Sequence, residues 1–151
     1  MTYQCIIKQY NELEKDHLFD ICEKRIEVFV CEQHFLCQEL DFHDKECSHI
    51  MIYNKETKEL IAYCRAFQDI QTSDWLIGRV LVVKKERKKN IGIELMKQTI
   101  NHIYSLDPSA SILVHSQAQA QGFYEKCHFQ AFGSLFLEEG CPHILMKYQK
   151  Q

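Results

Sequence analysis

The segment 80–96 constrains the fold more than any other part of the sequence. It reads VLVVKKERKKNIGIELM, which predicts a buried strand, a basic turn and the first turns of an amphipathic helix. A helix that begins directly after a strand leaves backbone N–H groups without partners at its N-terminus. Together with the helix dipole these donors favour an anion, and Arg87, Lys88 and Lys89 add positive charge at the same place. The pattern therefore predicts a site suited to the pyrophosphate of a cofactor, although a solvated basic turn would look the same.

Composition limits the classes of protein to consider. A chain of 151 residues with 46% hydrophobic and 26% charged residues predicts one soluble globular domain over residues 1–151. The formal net charge of −3 argues against general binding of nucleic acid, which needs a basic surface. Since the sequence has neither an apolar run of membrane-spanning length nor a signal-peptide pattern at its start, we expect a cytoplasmic protein that does not bind membranes.

The eight cysteines do not predict a disulfide framework, because a chain of this length can build a sufficient core without bridges. Cys5, Cys22, Cys64 and Cys127 lie within apolar patterns and are expected to be buried. The remaining four lie in more polar surroundings: Cys31, Cys37, Cys47 and Cys141. Their spacing lacks the paired Cys-x-x-Cys motif of structural zinc sites, so we predict no metal site.

Periodicity along the chain predicts seven strands and three helices. The predicted strands are 3–8, 49–53, 60–67, 76–83, 111–115, 129–136 and 143–148. The predicted helices are 13–29, with Asn11 as its cap, 90–104 and 118–126, and residues 31–47 are expected to form a polar loop or short helix. This order of elements indicates an α/β fold with a mixed sheet and helices packed on it.

The turn and the order of elements together resemble the GNAT superfamily of acetyl-CoA-dependent N-acetyltransferases. The superfamily's acetyl-CoA motif is Gln/Arg-x-x-Gly-x-Gly/Ala, and here it reads RKKNIG over residues 87–92. Asn90 replaces the first glycine, and asparagine tolerates the left-handed backbone better than other non-glycine residues. Three further segments narrow the resemblance to the ElaA-like branch: RIEVFVCEQ at 25–33 with QELD at 38–41, GRVLV at 78–82, and the stretch 117–143 that ends in GCPH. The resemblance implies a GNAT-like α+β fold, with a mostly antiparallel central sheet flanked by helices.

The resemblance also implies where acetyl-CoA binds. Backbone groups of the turn would hold its pyrophosphate, and the backbone of Leu81 and Val83 would pair with its pantetheine arm. The implied cofactor residues are Leu81, Val82, Val83, Arg87, Lys88, Lys89, Asn90, Ile91, Gly92, Gln117, Phe123 and Tyr124.

Acetyl transfer needs a proton donor for the leaving thiolate and a neutral amine. Tyr124 occupies the position where many family members place a tyrosine near the cofactor sulfur, and a phenol remains protonated at neutral pH. The alternative for Tyr124 is a helix residue that packs on the sheet. Candidates for the base are Glu32, Glu39, Asp41, His49 and His143, of which Glu32 and His49 are the leading ones.

The acceptor is predicted to bind at a pocket built from the acidic loop, residues 31–47, and the C-terminal hairpin. Arg25, Glu39, Asp41, Arg79 and His143 are the candidate acceptor-binding residues. Arg79 would either pair with a carboxylate such as Glu32 or bind an acidic group of the acceptor, and a structural ion pair is the alternative for both arginines.

We therefore expect an enzyme, monomeric or homodimeric, that transfers an acetyl group from acetyl-CoA to a primary amine of a small-molecule or peptide acceptor by direct attack in a ternary complex. A non-catalytic acyl-CoA sensor of the same fold is the alternative that Asn90 suggests. A metal or redox protein is a third hypothesis, suggested by the cysteine count.

Overall fold

The computed structural model describes residues 2–151, which form one eight-stranded sheet and three α-helices. The strands are β1 (Tyr3–Gln9), β2 (Ser48–Asn54), β3 (Leu60–Gln68), β4 (Trp75–Val82), β5 (Ile112–Gln117), β6 (Phe129–Ala131), β7 (Phe136–Glu138) and β8 (Cys141–Tyr148). The helices are α1 (Lys15–Arg25), α2 (Ile91–Leu106) and α3 (Gln121–Lys126). Seven residues with π-helical turns, Ile26–Glu32, continue α1 and are called the π segment below.

The sheet order is β1-β2-β3-β4-β5-β8-β6, with β7 also paired to β8. The pair β4–β5 is parallel, and every other pair is antiparallel. The parallel pair is possible because α2 lies between these strands and supplies the crossover. The predicted mixed, mostly antiparallel sheet with flanking helices is thereby confirmed.

Side chains that alternate along β2 enter two cores, one on each face of the sheet. Ile50 and Ile52 pack with α2, in a core that includes the fully buried Leu95. Met51 points the other way and packs with Ile21 of α1. Each such side chain stabilises the fold by roughly 1.5–3 kcal/mol. The sheet is therefore held between α2 and α1 on opposite faces.

The first helix differs from the prediction at both ends. Residues 10–12 form a separate 3₁₀ turn, and α1 begins at Lys15 after Glu14, whose backbone N–H donates to Nδ1 of His17 at 3.3 Å. Asn11 is therefore not the cap. At the other end α1 gives way to the π segment, whose β-branched residues at 26, 28 and 30 are weak α-helix formers.

Two further predictions are corrected. The strand predicted at 129–136 is split into β6 and β7, because Gly133 between them has a φ of +84° that ends the extended chain. Cys47, expected in polar surroundings, is fully buried, whereas Cys5 and Cys22 are half-buried.

All eight cysteines are free thiols. Within residues 2–151, no cluster of three or more His, Cys, Asp or Glu side chains is arranged to hold a metal ion. Of the helices in that range, none combines the length and apolar character needed to cross a membrane.

Candidate active site

The sheet opens between β4 and β5. The ladder joins these strands only at their starts, over the pairs Trp75–Ile112 and Leu76–Leu113. A β-bulge then interrupts β4, where Arg79 adopts a left-handed φ of +52°. A bulge bends its strand and increases the local twist. The second half of β4 is therefore not paired with β5, and a cleft lies between them.

Two cavities occupy this cleft. The helix-end cavity, about 610 Å³, lies between β4, the N-terminus of α2 and α3. The hairpin cavity, about 530 Å³, lies between β4, β5 and the β7–β8 hairpin. Both volumes fall in the range of small-molecule sites. The cavities meet at four residues that line both of them: Gln33, Val80, Ala120 and Tyr124. A molecule in one cavity can therefore reach a molecule in the other.

The N-terminus of α2 presents backbone donors to the helix-end cavity. The left-handed φ angles of Lys88 (+67°) and Asn90 (+63°) turn the chain into the helix, as the asparagine at this position predicted. The first bond of the helix is donated by Glu94 to the carbonyl of Asn90. Within residues 2–151, no protein acceptor takes the six consecutive N–H groups of residues 88–93. This concentration of donors at a helix N-terminus is an anion site.

Gly92 is required by close packing rather than by its backbone angles. A Cβ atom at this position would lie 2.9 Å from Cε1 of Phe123 and 3.4 Å from Cγ2 of Val82. The ring of Phe123 thus rests against the helix backbone and forms one wall of the helix-end cavity. The second glycine of the motif lets α2 approach α3 closely.

Arg87 and Glu32 form a pair at the edge of the helix-end cavity. Both terminal nitrogens of Arg87 donate to Glu32, at 2.5 and 3.0 Å, and its Nε donates to the carbonyl of Val82 at 2.9 Å. The hydrogen bond from Arg87 lowers the pKa of Glu32. Glu32 was predicted as a base, but here it is a paired carboxylate. Lys89 is likewise paired, with Glu86 at 3.1 Å.

The backbone of β4 faces the cleft at different residues from those predicted. The N–H of Val83 donates to the carbonyl of Ile61 at 2.9 Å, so it belongs to the ladder with β3. Because strand residues alternate in direction, Leu81 also faces β3, and the backbone of Val80 and Val82 faces the cleft. The expectation that the backbone of Leu81 and Val83 pairs with a cofactor arm is therefore wrong, although the side chain of Leu81 lines the helix-end cavity.

Tyr124 lies where the two cavities meet. It is 8% exposed and packs edge-on against Phe123 and Phe129. Within residues 2–151, no group forms a hydrogen bond with the Tyr124 hydroxyl. The hydroxyl oxygen is accessible to solvent from the cavity. Burial raises the pKa of Tyr124, so the hydroxyl is a proton donor rather than a phenolate at neutral pH.

Arg25, predicted to bind the acceptor, is instead the centre of a buried ion network. Its side chain is fully buried, and it donates to Glu39 Oε2 at 2.7 Å and to Asp44 Oδ1 at 2.6 Å. Burial alone would raise the pKa of Asp44, but the hydrogen bond and charge of Arg25, together with the charge of Arg65, lower it to about 2. Arg25 holds the loop that follows the π segment against the sheet.

Two more arginines complete the network. Arg65 of β3 donates to Asp41 at 2.6 and 3.0 Å and to Asp44 at 2.8 Å. Its Nε is buried without a hydrogen-bond partner in the described chain. Arg79 donates to Glu39 Oε2 at 2.8 Å, and therefore does not pair with Glu32. Arg65, Arg79 and Glu39 line the hairpin cavity, so the network is one of its walls.

His49, the other leading base candidate, lies outside both cavities. It is 1% exposed, its Nε2–H donates to the carbonyl of Asp44 at 2.9 Å, and its Nδ1 accepts from the hydroxyl of Tyr63 at 2.6 Å. Burial lowers its pKa. With both ring nitrogens occupied by internal partners, His49 is a structural residue and the prediction for it is corrected.

His143 lines the hairpin cavity together with two residues that the sequence did not assign. Its Nδ1–H donates to the carbonyl of Cys141 at 2.8 Å, and its Nε2 lies 3.6 Å from Oε2 of Glu138. The other oxygen of Glu138 lies 2.9 Å from Nδ1 of His115. The hydrogen bond with His115 lowers the pKa of Glu138.

The sequence reasoning missed several residues of the site for different reasons. Arg65 is one of only four arginines, and the same rarity that drew attention to Arg25 and Arg79 would have found it. Glu138 stands in the ElaA-like segment, but nothing in the local pattern showed that it meets a histidine from β5. Gln117 was predicted to bind the cofactor, but it lines the hairpin cavity and not the helix-end cavity, and it donates to Gln33 at 3.2 Å.

The chain matches one protein-family model and several known proteins. The family described as "Acetyltransferase (GNAT) domain" matches residues 17–150. The chain is 34% identical to a UPF0039 protein of Schizosaccharomyces pombe over 95% of each chain. It is 30% identical to protein ElaA of Escherichia coli, over 91% of this chain and 90% of that protein.

Solved structures with a fold similar to this chain include that of ElaA. The crystal structure of Escherichia coli ElaA has a TM-score of 0.88 and 28% identity, and the match covers 97% of this chain and 99% of that one. An acyl-CoA N-acyltransferase from Pseudomonas aeruginosa has a TM-score of 0.88 and 27% identity, with the same coverage of 97% and 99%.

Proposed function

Because the chain belongs to the acetyltransferase (GNAT) family, with ElaA and UPF0039 proteins among its relatives, we propose that it transfers an acetyl group from acetyl-CoA to a primary amine. The observation that carries the proposal is the junction of the two cavities at Tyr124. One cavity ends at an anion site and would hold the acyl donor. The other has ionisable groups on its wall and would hold the acceptor.

The helix-end cavity fits coenzyme A. The unpaired N–H groups of residues 88–93 would hold the pyrophosphate, and Lys88, which forms no ion pair within residues 2–151, would add charge. The backbone edge of Val80 and Val82 faces the cleft and would pair with the amide groups of the pantetheine arm, although the carbonyl of Val82 already accepts from Nε of Arg87. The acetyl-CoA supplies an activated thioester at the junction of the cavities.

Tyr124 would be the general acid. Its hydroxyl is at the junction, has no competing hydrogen-bond partner among the described residues, and has a raised pKa. When the C–S bond breaks, the hydroxyl can therefore donate its proton to the leaving sulfur, a contribution typically of about 10²–10⁴-fold in rate.

The hairpin cavity suits a small molecule, or the end of a peptide, that carries an amine. Phe29, Phe35 and Phe67 give it apolar surface, and Glu138 and Glu139 give it negative charge. A cationic amine would be attracted to such a wall and its hydrocarbon part would pack on the rings. Arg25, Glu39 and Asp41 are already paired with one another or with other residues, so we keep them as the supports of the cavity and not as acceptor ligands.

Two measurements test the proposal. The first is calorimetric binding of coenzyme A, and the second is thiol release from acetyl-CoA with a panel of primary amines that includes 2-phenylethylamine. We expect binding, and release that depends on an amine. Absence of coenzyme A binding would refute the donor site.

The alternative of a non-catalytic sensor loses its main support, because Asn90 adopts the left-handed angle that a glycine would adopt. Tyr124→Phe separates the two functions. The variant should bind coenzyme A normally and lose most of its turnover, whereas a sensor would have no turnover to lose.

A further inference from the structure

We propose that His143 is the general base of this reaction and that Glu138 and His115 carry the abstracted proton to solvent. The inference rests on the proposed function, and it adds the residue that makes the amine nucleophilic. The other candidate bases are occupied by the internal partners described above: Glu32, Glu39, Asp41 and His49.

His143 lines the hairpin cavity, and the sheet register connects it to a residue of the junction. It is the cross-strand partner of Gln117, so the two side chains lie on the same face of the β5–β8 pair. Gln117 reaches Gln33, which lines both cavities. The imidazole of His143 is 3% exposed and packs against Phe35 and Phe136, and what remains accessible of it faces the hairpin cavity.

A backbone hydrogen bond selects the tautomer that a base requires. A carbonyl oxygen can only accept, so the nitrogen that faces the carbonyl of Cys141 at 2.8 Å carries the proton. In the neutral ring the proton is therefore on Nδ1, and Nε2 has a free lone pair. Nε2 is the nitrogen that can take a proton from an amine.

Glu138 and His115 connect His143 to solvent and can carry the abstracted proton there. Glu138 Oε2 lies 3.6 Å from Nε2 of His143, beyond hydrogen-bond distance, so in the proposed path a water molecule carries the proton across this gap. Oε1 of Glu138 lies 2.9 Å from Nδ1 of His115, whose side chain is 42% exposed. A carboxylate between two imidazoles stabilises a positive charge on either one. The charged and titratable groups that line the hairpin cavity with His143 are Glu138, Glu139, His115, Arg79, Arg65, Glu39, Cys37, His43 and Tyr124.

The proton balance is complete with these groups. The ammonium of the acceptor gives one proton to Nε2 of His143, and the neutral nitrogen forms a bond to the acetyl carbon as the C–S bond breaks. Tyr124 protonates the thiolate and regains a proton from the nitrogen that has become an amide. The proton on His143 leaves through Glu138 and His115 to water, so the net products are the N-acetyl amine, coenzyme A and one proton.

The tautomer is tested directly by ¹⁵N NMR of the whole chain labelled at histidine, with the His143 signals assigned from the His143→Gln variant. We expect neutral His143 to be protonated at Nδ1. Neutral His143 protonated at Nε2 would overturn the proposal. This measurement does not depend on turnover.

Kinetics test the role in catalysis, with acetyl-CoA and 2-phenylethylamine from pH 6 to 10. His143→Gln should lower kcat/KM for the amine by about 10²-fold or more at neutral pH, while coenzyme A affinity is retained. The deficit should shrink toward pH 10, because an alkyl amine near its own pKa of about 10.4 needs no base. Glu138→Gln should move the acidic limb of the profile to lower pH.

His128→Asn is the matched control, because its exposed side chain lies outside both cavities and Asn suits its left-handed φ of +70°. It should behave as the unmodified chain. A His143→Gln variant that binds coenzyme A and retains full turnover at neutral pH would overturn the role of His143. If the unmodified chain acetylates no amine, the proposed function is refuted. The assignment of His143 as the general base is then refuted as well, whichever tautomer is observed.

Discussion

The Gly92→Ala variant tests the proposed donor site, because it adds one methyl group where α2 packs against Phe123. The new Cβ would lie 2.9 Å from Cε1 and 3.1 Å from Cζ of Phe123, whereas carbon atoms prefer about 3.5–4.0 Å. The ring must therefore move by a few tenths of an ångström or more. Tyr124 packs edge-on against it with a centroid distance of 5.1 Å, so the direction left open is into the helix-end cavity.

The cost should appear in binding more than in folding. Overpacking of this kind costs about 1–3 kcal/mol when the ring is held in place. In the free protein the ring can relax into the cavity, and alanine is a better helix former than glycine by up to about 1 kcal/mol. With coenzyme A in the cavity that relaxation is blocked. We therefore expect the free energy of unfolding to change by less than about 1 kcal/mol and coenzyme A affinity to fall about 10-fold to 100-fold.

Calorimetric titration with coenzyme A and urea unfolding measure the two quantities. Gly122→Ala on α3 is the matched control, because a Cβ there would meet nothing within 4 Å. In a Phe123→Ala background, Gly92→Ala should cost no further affinity, since the clash is gone. Unchanged coenzyme A affinity in Gly92→Ala, or an equal loss in Gly122→Ala, would refute the reasoning.

Three further predictions concern the charged residues. Arg25→Ala should lower the free energy of unfolding by about 3–5 kcal/mol in urea, because it removes a fully buried partner of Glu39 and Asp44 and leaves them only Arg79 and Arg65, and a loss below about 1 kcal/mol would contradict this. The pKa of Asp44 is lowered from 3.8 to about 2, so its carboxylate stabilises the fold by about 2 kcal/mol above pH 4 and loses this contribution as the pH falls to 2. The free energy of unfolding of Asp44→Asn should therefore depend less on pH between about 4 and 2. Glu32→Gln should raise coenzyme A affinity by up to about fivefold at low salt, because it releases the guanidinium of Arg87, and unchanged affinity would show that the pair does not compete with the ligand.

The anion site at the start of α2 was predictable because its chemistry is local. The strand, the turn and the helix are consecutive in the sequence, and Asn90 at the glycine position already indicated a left-handed residue. The wrong prediction within this segment, that the backbone of Leu81 and Val83 faces the cleft, came from the pairing register of β4 with β3. The bulge at Arg79 and the pairing of Val83 with Ile61 decide which backbone groups face the cleft, and both depend on β3. A side-chain pattern does not reveal which edge of a strand is already paired.

The acceptor side was less predictable because its contacts join distant parts of the chain. Glu32 meets Arg87 across 55 positions, and Arg79 meets Glu39 across 40. Each of these residues had the right chemistry for a site, but each is neutralised by a partner that only the fold supplies. His143 was one of five candidate bases in the sequence but not one of the two leading ones, and the fold alone shows that its Nε2 is left open to the cavity.

Charge balance explains why the acceptor should be a cation although three arginines lie beside its cavity. The network contains three guanidinium groups and three carboxylates: Arg25, Arg65, Arg79, Glu39, Asp41 and Asp44. These charges cancel, and an anionic acceptor could bind Arg79 only by displacing Glu39, which would leave a largely buried carboxylate with one partner fewer. The charges that remain on the cavity wall are those of Glu138 and Glu139. They attract an ammonium group, and an ammonium group cannot attack a thioester until a base such as His143 removes its proton.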